Sequence, residues 1–339
     1  MKIPFQSKHG KPMQGRWCLP PMLLALCGLF VSGSVRAHAD MVYVSFGGNS
    51  NTIGTFDSAQ AGGDSTFGTF PSTNLANATG IAFDTAGYLY VANANNGTIT
   101  KFDPAGNASQ FASGVSLSAP SGLAFDQFGY LYVSNDNGQI VKISPAGTGT
   151  VFATITGKPA GLAFDSLGNL YVADSLNSQI IQISSTGNKN LFADNNGFTT
   201  LNKPMGLTFD ARGDLYVANW DSSLNTIEKF SSTGVALGVF ASQGLGNPTG
   251  LAFDSSGNLF VANYQHTGPL DHGYSTIVQF SSTGALVKTF YDSTYGPSDG
   301  LHDANFIAIR SAPEPSTWVL VSIGITCLSR RPSRAFRKP

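Results

Sequence analysis

The stretch GLAFDSSGNLFVAN, residues 250–263, recurs with small changes along the chain. It stands as GIAFDTAGYLYVAN from Gly80, GLAFDQFGYLYVSN from Gly122, GLAFDSLGNLYVAD from Gly161 and GLTFDARGDLYVAN from Gly206. The five glycines are separated by 42, 39, 45 and 44 residues, a period typical of propellers and related arrays. The body between the chain ends has no useful run of helical periodicity, so the repeat reads as all-β.

Each unit divides into four strands. The first is Gly-Leu-Ala-Phe-Asp or a variant of it. Its Asp and the Gly three residues on, as in Asp84/Gly87 and Asp254/Gly257, suit the first and last places of a type I turn. Leu-Tyr-Val-Ala follows, apolar at consecutive positions as in a strand covered on both faces. The third strand (99–102, 140–143, 180–183, 227–230, 277–280) admits Lys or Gln and is wetter. A fourth carries Phe111, Phe152, Phe192, Phe240 or Phe290. Apolarity that falls from first strand to last fits a blade running from a central axis to a rim. The repeated Gly, lacking Cβ, permits close backbone approach at the axis. Pro120, Pro159, Pro204 and Pro248 stand two residues ahead of it, with Ala78 in that place in the first unit.

The count closes on six. Residues 41–70 supply the outer strands of a further blade, and Asp299-Gly300-Leu301-His302-Asp303 reads as its degenerate first strand. Phe306-Ile307-Ala308-Ile309 competes with Val42-Tyr43-Val44 for the second-strand place, so the register of closure stays open. The predicted fold is a six-bladed β-propeller of four-stranded blades over 40–311. Closing the ring removes the exposed sheet edges.

These motifs resemble the NHL-repeat β-propellers, whose unit likewise runs Pro-x-Gly, a short apolar strand to Asp, Gly-x-Leu-Tyr-Val-Ala-Asp/Asn and an Ile-x-x-Phe strand. The resemblance covers essentially all of 41–310. It implies the fold and no single activity, because such propellers host lyases, lactonases and binding modules alike.

The ends read as addresses. In residues 1–39, Lys2, Lys8, Lys11 and Arg16 precede the apolar run LPPMLLALCGLFVSG, and Ala37-His38-Ala39 offers a cleavage site, as in a signal peptide. Pro313-Glu314-Pro315 within 312–339 is followed by a short apolar segment and a basic cluster that includes Arg330 and Arg331. This order resembles the PEP-CTERM sorting signal of exopolysaccharide-producing Gram-negative bacteria. The resemblance implies a short hydrophobic helix that holds the exported precursor transiently in the inner membrane. It also implies an exosortase-type enzyme as processing partner, and a cell-surface or extracellular destination. Cys18, Cys27 and Cys327 all lie in the end segments, so the body has neither disulfide nor thiolate site.

The whole chain has 19 basic and 20 acidic residues, but each end segment holds five of the basic ones and only Glu314 among the acids. The body therefore carries nine basic against 19 acidic groups, a net of −10. Such a surface repels phosphate backbones and argues against a nucleic-acid partner.

Function is expected where the repeats differ. The loop after the second strand is short in three units, longer at Asn219–Asn225 and longest at 263–274. Trp220, Tyr264 and Tyr274 are candidates for stacking on a sugar ring at the propeller mouth. His266, Asp271, His272, Asp299 and His302 are candidates for a divalent metal, the one cofactor these residue types suggest. Loose His/Asp clustering without fixed spacing is also what solvated loops contain. The leading reading is an exported binding module for exopolysaccharide or another surface component. The alternatives are a metal-dependent lyase or lactonase-type hydrolase, and a structural matrix protein without a small ligand.

Overall fold

The computed structural model of the chain describes residues 40–48, 51–59, 63–64, 68–69, 74–112, 116–195, 201–221, 224–264, 275–291 and 304–311. These residues form six sheets, antiparallel but for one short parallel pairing, and no helix occurs among them. Five blades follow one another along the chain over 78–111, 120–154, 159–194, 204–241 and 248–291. Their first strands neighbour one another in sequence order. The last of these strands and the first of them are joined through Ala304–Arg310, which closes the ring.

The second strands explain the repeated Leu-Tyr-Val-Ala. All five of their residues are buried in every one of the five blades, because each sheet is covered on both faces. The fourth strands are exposed over consecutive residues, leaving Val151, Leu191 and Val239 in solvent at the rim. Each of the six apolar clusters lies between two neighbouring blades, so the core is a set of blade–blade interfaces rather than one central mass. Tyrosines of the second strand span these interfaces edge-on. Tyr132 meets Phe152 of its own blade at 5.0 Å and Phe164 of the next at 4.9 Å, and Tyr90, Tyr171 and Tyr216 repeat the arrangement. Such edge-to-face pairs add about 0.5–1.5 kcal/mol each beyond area burial.

The turn reading holds in detail. Gly87, Gly129, Gly168, Gly213 and Gly257 donate to the carbonyl of the Asp three residues earlier at 3.0–3.1 Å. The same Asp accepts through Oδ1 from the backbone two and four residues on. These aspartates are turn formers.

The closing blade corrects one expectation. Its first strand is Ala304–Arg310, not 299–303, which lies outside the described residues. Met41–Phe46 pairs with that strand as second, Thr52–Asp57 is third and Gly68–Thr69 fourth. Val42 faces Ile309 and Val44 faces Ile307, so the apparent competition is a pairing. The physical reason is burial: Ala304 and Ile307 join Val42, Val44 and Phe46 in one apolar cluster against the fifth blade. Phe306 takes the place of the axial Gly. A Cβ on Gly250 would come within 2.6 Å of the Phe306 Cα, just as one on Gly161 would come within 3.0 Å of the Gly206 Cα. Gly63–Asp64, ahead of that fourth strand, pairs in parallel with Leu286–Tyr291 of the fifth blade, so this segment links two blades.

Candidate functional site

One face of the propeller carries the starts of the first strands and the loops after the second strands. Its geometry begins with the residue that ends each second strand. Asn93, Asn135, Asp174, Asn219 and Asn263 are 0–1% exposed. Each side chain accepts through Oδ1 from a backbone N–H of the segment leading into its own first strand: Ala76, Ser118, Lys158, Asn202 and Gly246, at 3.0–3.2 Å. This buried clamp fixes the mouth loops. Asn219 and Asn263, read above as loop residues, therefore belong to the scaffold.

The next residue is pinned as well. The backbone N–H of Trp220 donates to Lys203 O and that of Tyr264 to Asn247 O, both at 3.1 Å, and Ala94 and Ser175 make the same bond in their blades. This position thus projects a side chain from a rigid base, and it is Ala94, Asp136, Ser175, Trp220 and Tyr264 in successive blades. The two aromatic rings meet edge to face with centroids 6.2 Å apart. Lys203 lies 5.9 Å from the Trp220 ring and 3.9 Å from Asp221. The indole Nε1 of Trp220 is buried and has no hydrogen-bond partner among the described residues. A buried indole N–H usually finds one.

Inward of these loops the axis is lined by apolar residues, whose backbone N–H and C=O groups make up most of the surface they present. Ile81, Leu123, Leu162, Leu207, Leu251 and Ile307 ring a cavity of about 120 Å³, narrowed at the sixth blade by Phe306. Among the described residues no titratable side chain lines it. Tyr274, His266, Asp271, His272, Asp299 and His302 all lie outside the described residues, as do Pro313, Glu314, Pro315, Arg330 and Arg331 of the tail. Among the described residues no group of three His, Cys, Asp or Glu side chains is placed to hold a metal ion. No helix among them is long and apolar enough to cross a membrane.

Apart from Glu228 in mid-strand, the perturbed titratable groups among the described residues gather on the opposite face, where the Asp turns lie. Burial, then the Asp165 charge, pushes the Tyr171 hydroxyl up to about 12. Burial opposes the charge of Lys229, but hydrogen bonds with Tyr216 and Asp214 outweigh it and hold its pKa above the usual lysine range. Asp210 is opposed by burial too, yet backbone N–H donors from Asp214 and Arg212, with the Lys229 charge, keep its carboxyl below the usual range. Asp126, Tyr132 and Lys142 form a matching cluster, with Lys142 Nζ 3.6 Å from Asp126. The cluster occurs in the second and fourth blades, and the third has Gln182 bonded to Tyr171 in the lysine's place, so it belongs to the repeated scaffold. The third-strand Lys, read from the sequence only as a wetter position, is its cationic member.

The sequence reading missed a second concavity on this face, between the second and third blades. It measures about 330 Å³ and is edged by Phe128 and Leu167. The signal was present at the third place of the Asp turn, which reads Ala86, Phe128, Leu167, Arg212 and Ser256.

Among known proteins, the NHL repeat model matches residues 156–183, which cover the first three strands of the third blade. No curated protein matches the sequence. Solved structures share the fold at low identity. One from a nidogen/laminin complex is 18% identical, covers 81% of this chain and 100% of its own, and has a TM-score of 0.66. Virginiamycin B lyase from Staphylococcus aureus is 16% identical over 76% of this chain and 85% of its own, at 0.54. A gluconolactonase from Xanthomonas campestris is 20% identical over 67% and 84%, at 0.51. The chain is thus a six-bladed β-propeller that carries an NHL repeat in its third blade.

Proposed function

We propose that this propeller is an exported binding module whose mouth face engages a polysaccharide or another surface component. The observation that carries the reading is the Trp220–Tyr264 pair. Two large rings replace Ala, Asp or Ser at one rigidly held position in adjacent blades, beside a buried indole N–H that no described residue accepts from. Exposed or half-exposed aromatics on a rigid base give stacking area at little entropic cost. The signal-like residues 1–39 and the sorting-signal-like residues 312–339 support export, with processing of the tail by an exosortase-type enzyme. The test is binding of the full chain to immobilised dextran, cellulose and alginate. Trp220→Ala and Tyr264→Ala are each expected to weaken capture at least tenfold, the scale of an aromatic hot spot (about 2 kcal/mol), with Tm little changed. Capture that survives both substitutions sinks the reading.

A metal-dependent lyase or lactonase is the second reading, favoured by the lyase and the gluconolactonase among the structures of similar fold. Its ligands would come from His266, Asp271, His272, Asp299 and His302. Elemental analysis of the dialysed protein decides it. Stoichiometric divalent metal, lost in the His272→Ala/His302→Ala double variant, is the expected result under this reading. Metal-free protein after dialysis against added zinc and calcium overturns it.

A further inference from the structure

We infer that the concavity between the second and third blades, on the face opposite the mouth, is a binding site for a neutral, hydroxylated ring such as a hexose unit. Phe128 is 72% and Leu167 83% exposed, and both edge the same cavity of about 330 Å³. Single exposed apolar side chains are ordinary on a protein surface, but two that frame one pocket are not. Neither is forced by the repeat, since the same turn position is Ala86, Arg212 and Ser256 in the other complete blades.

The two side chains are presented rigidly. Asp126 Oδ1 accepts from the N–H groups of Phe128 and Tyr130 at 2.9 Å, and Asp165 Oδ1 accepts from Leu167 at 2.9 Å. Gly129 and Gly168 lock the turns at φ +81° and +82°. A ligand therefore pays little ordering entropy to meet them.

The lining sets the ligand's chemistry. The apolar rim suits the C–H face of a ring. The one cation and one anion of the pocket, Lys142 and Asp126, already neutralise each other at 3.6 Å. A charged ligand would find no unpaired counter-charge, and would have to break that pair to gain one. Hydroxyl groups can instead reach the Gln127 amide, Ser184 and Ser185, which also line the cavity. A volume at the lower end of ligand pockets (roughly 300–1,000 Å³) points to one or two rings and not a long chain.

This site is carried by its own geometry and does not depend on the mouth. The test titrates the full chain with maltose, cellobiose, lactose and glucuronate, following ligand signals by saturation-transfer NMR, with light scattering in parallel. At least one neutral disaccharide is expected to bind more tightly than glucuronate. Phe128→Ala and Leu167→Ser are each expected to weaken that binding at least tenfold at unchanged Tm and mass, and Trp220→Ala to leave it in place. Binding that Trp220→Ala abolishes and Phe128→Ala spares would keep the mouth reading and overturn this one. The inference also falls if none of the neutral sugars binds. It falls likewise if Phe128→Ala changes the mass in solution, which would make the patch an interface between copies.

Discussion

At the scale of single residues, the repeat tolerates change where partners change with it. Asn93, Asn219 and Asn263 donate through Nδ2 to the hydroxyls of Thr98, Thr226 and Thr276. The third blade has Asp174 instead, which accepts from the amides of Asn177 and Gln179. The clamp residue stays hydrogen-bonded while donor and acceptor are exchanged. Glu228 is the contrary case, since it is 2% exposed in a third strand and burial alone pushes its carboxyl above the usual range. Between the ordinary value of 4.5 and the raised one, the folded chain holds a proton that the unfolded chain releases. The stability tied to this group is therefore complete below the ordinary value and is lost as pH rises through the raised one. Glu228→Gln is expected to raise Tm at neutral pH and to leave it near wild type below pH 4.5. Thermal unfolding at both values checks this, and an equal gain at both would mean that packing, not charge, is responsible.

At the scale of the strand and turn, the conserved-looking glycines of one unit serve two different needs. Gly161 has no positive φ, but an added methyl would collide with the Met205 carbonyl oxygen of the neighbouring first strand. Gly257 has φ +80° and open space around it. Gly161→Ala is expected to cost about 3 kcal/mol or more, because two backbones near the axis must part. Gly257→Ala should cost about 1–2 kcal/mol, the penalty for a left-handed alanine. Urea unfolding of the two variants measures the difference, and equal costs would refute the axial explanation.

At the scale of the molecule, closure rests on a strand from one end of the chain completing a blade begun at the other. Ending the chain at Asp303 removes Ala304–Arg310, uncovers Met41–Phe46 and leaves the first strand of the fifth blade without its neighbour at the axis. Exposed edges of that kind invite association. Such a chain is expected to lose cooperative unfolding and to aggregate, whereas one ending at Ser311 should unfold at the wild-type Tm. Circular dichroism melts with light scattering distinguish the two. If both truncations melted alike, ring closure would not govern stability.

The sequence by itself determined what is local and repeated. The four strands of each unit, the Asp–Gly turns, the doubly buried Leu-Tyr-Val-Ala and the count of six all follow from patterns within about 45 residues. Trp220 and Tyr264 were legible as well, because they interrupt that pattern. Tertiary structure alone decided the register of closure. Ala304–Arg310 carries no Pro-x-Gly signature, and Phe306 sits where every other blade has Gly, so its place is set by burial against Val42 and Val44 rather than by its own residues. Tertiary structure also decided that Phe128 and Leu167, some forty residues apart, border one cavity. A turn residue's neighbours across a blade interface depend on how sheets stack, and stacking is settled by contacts between units that no single unit encodes.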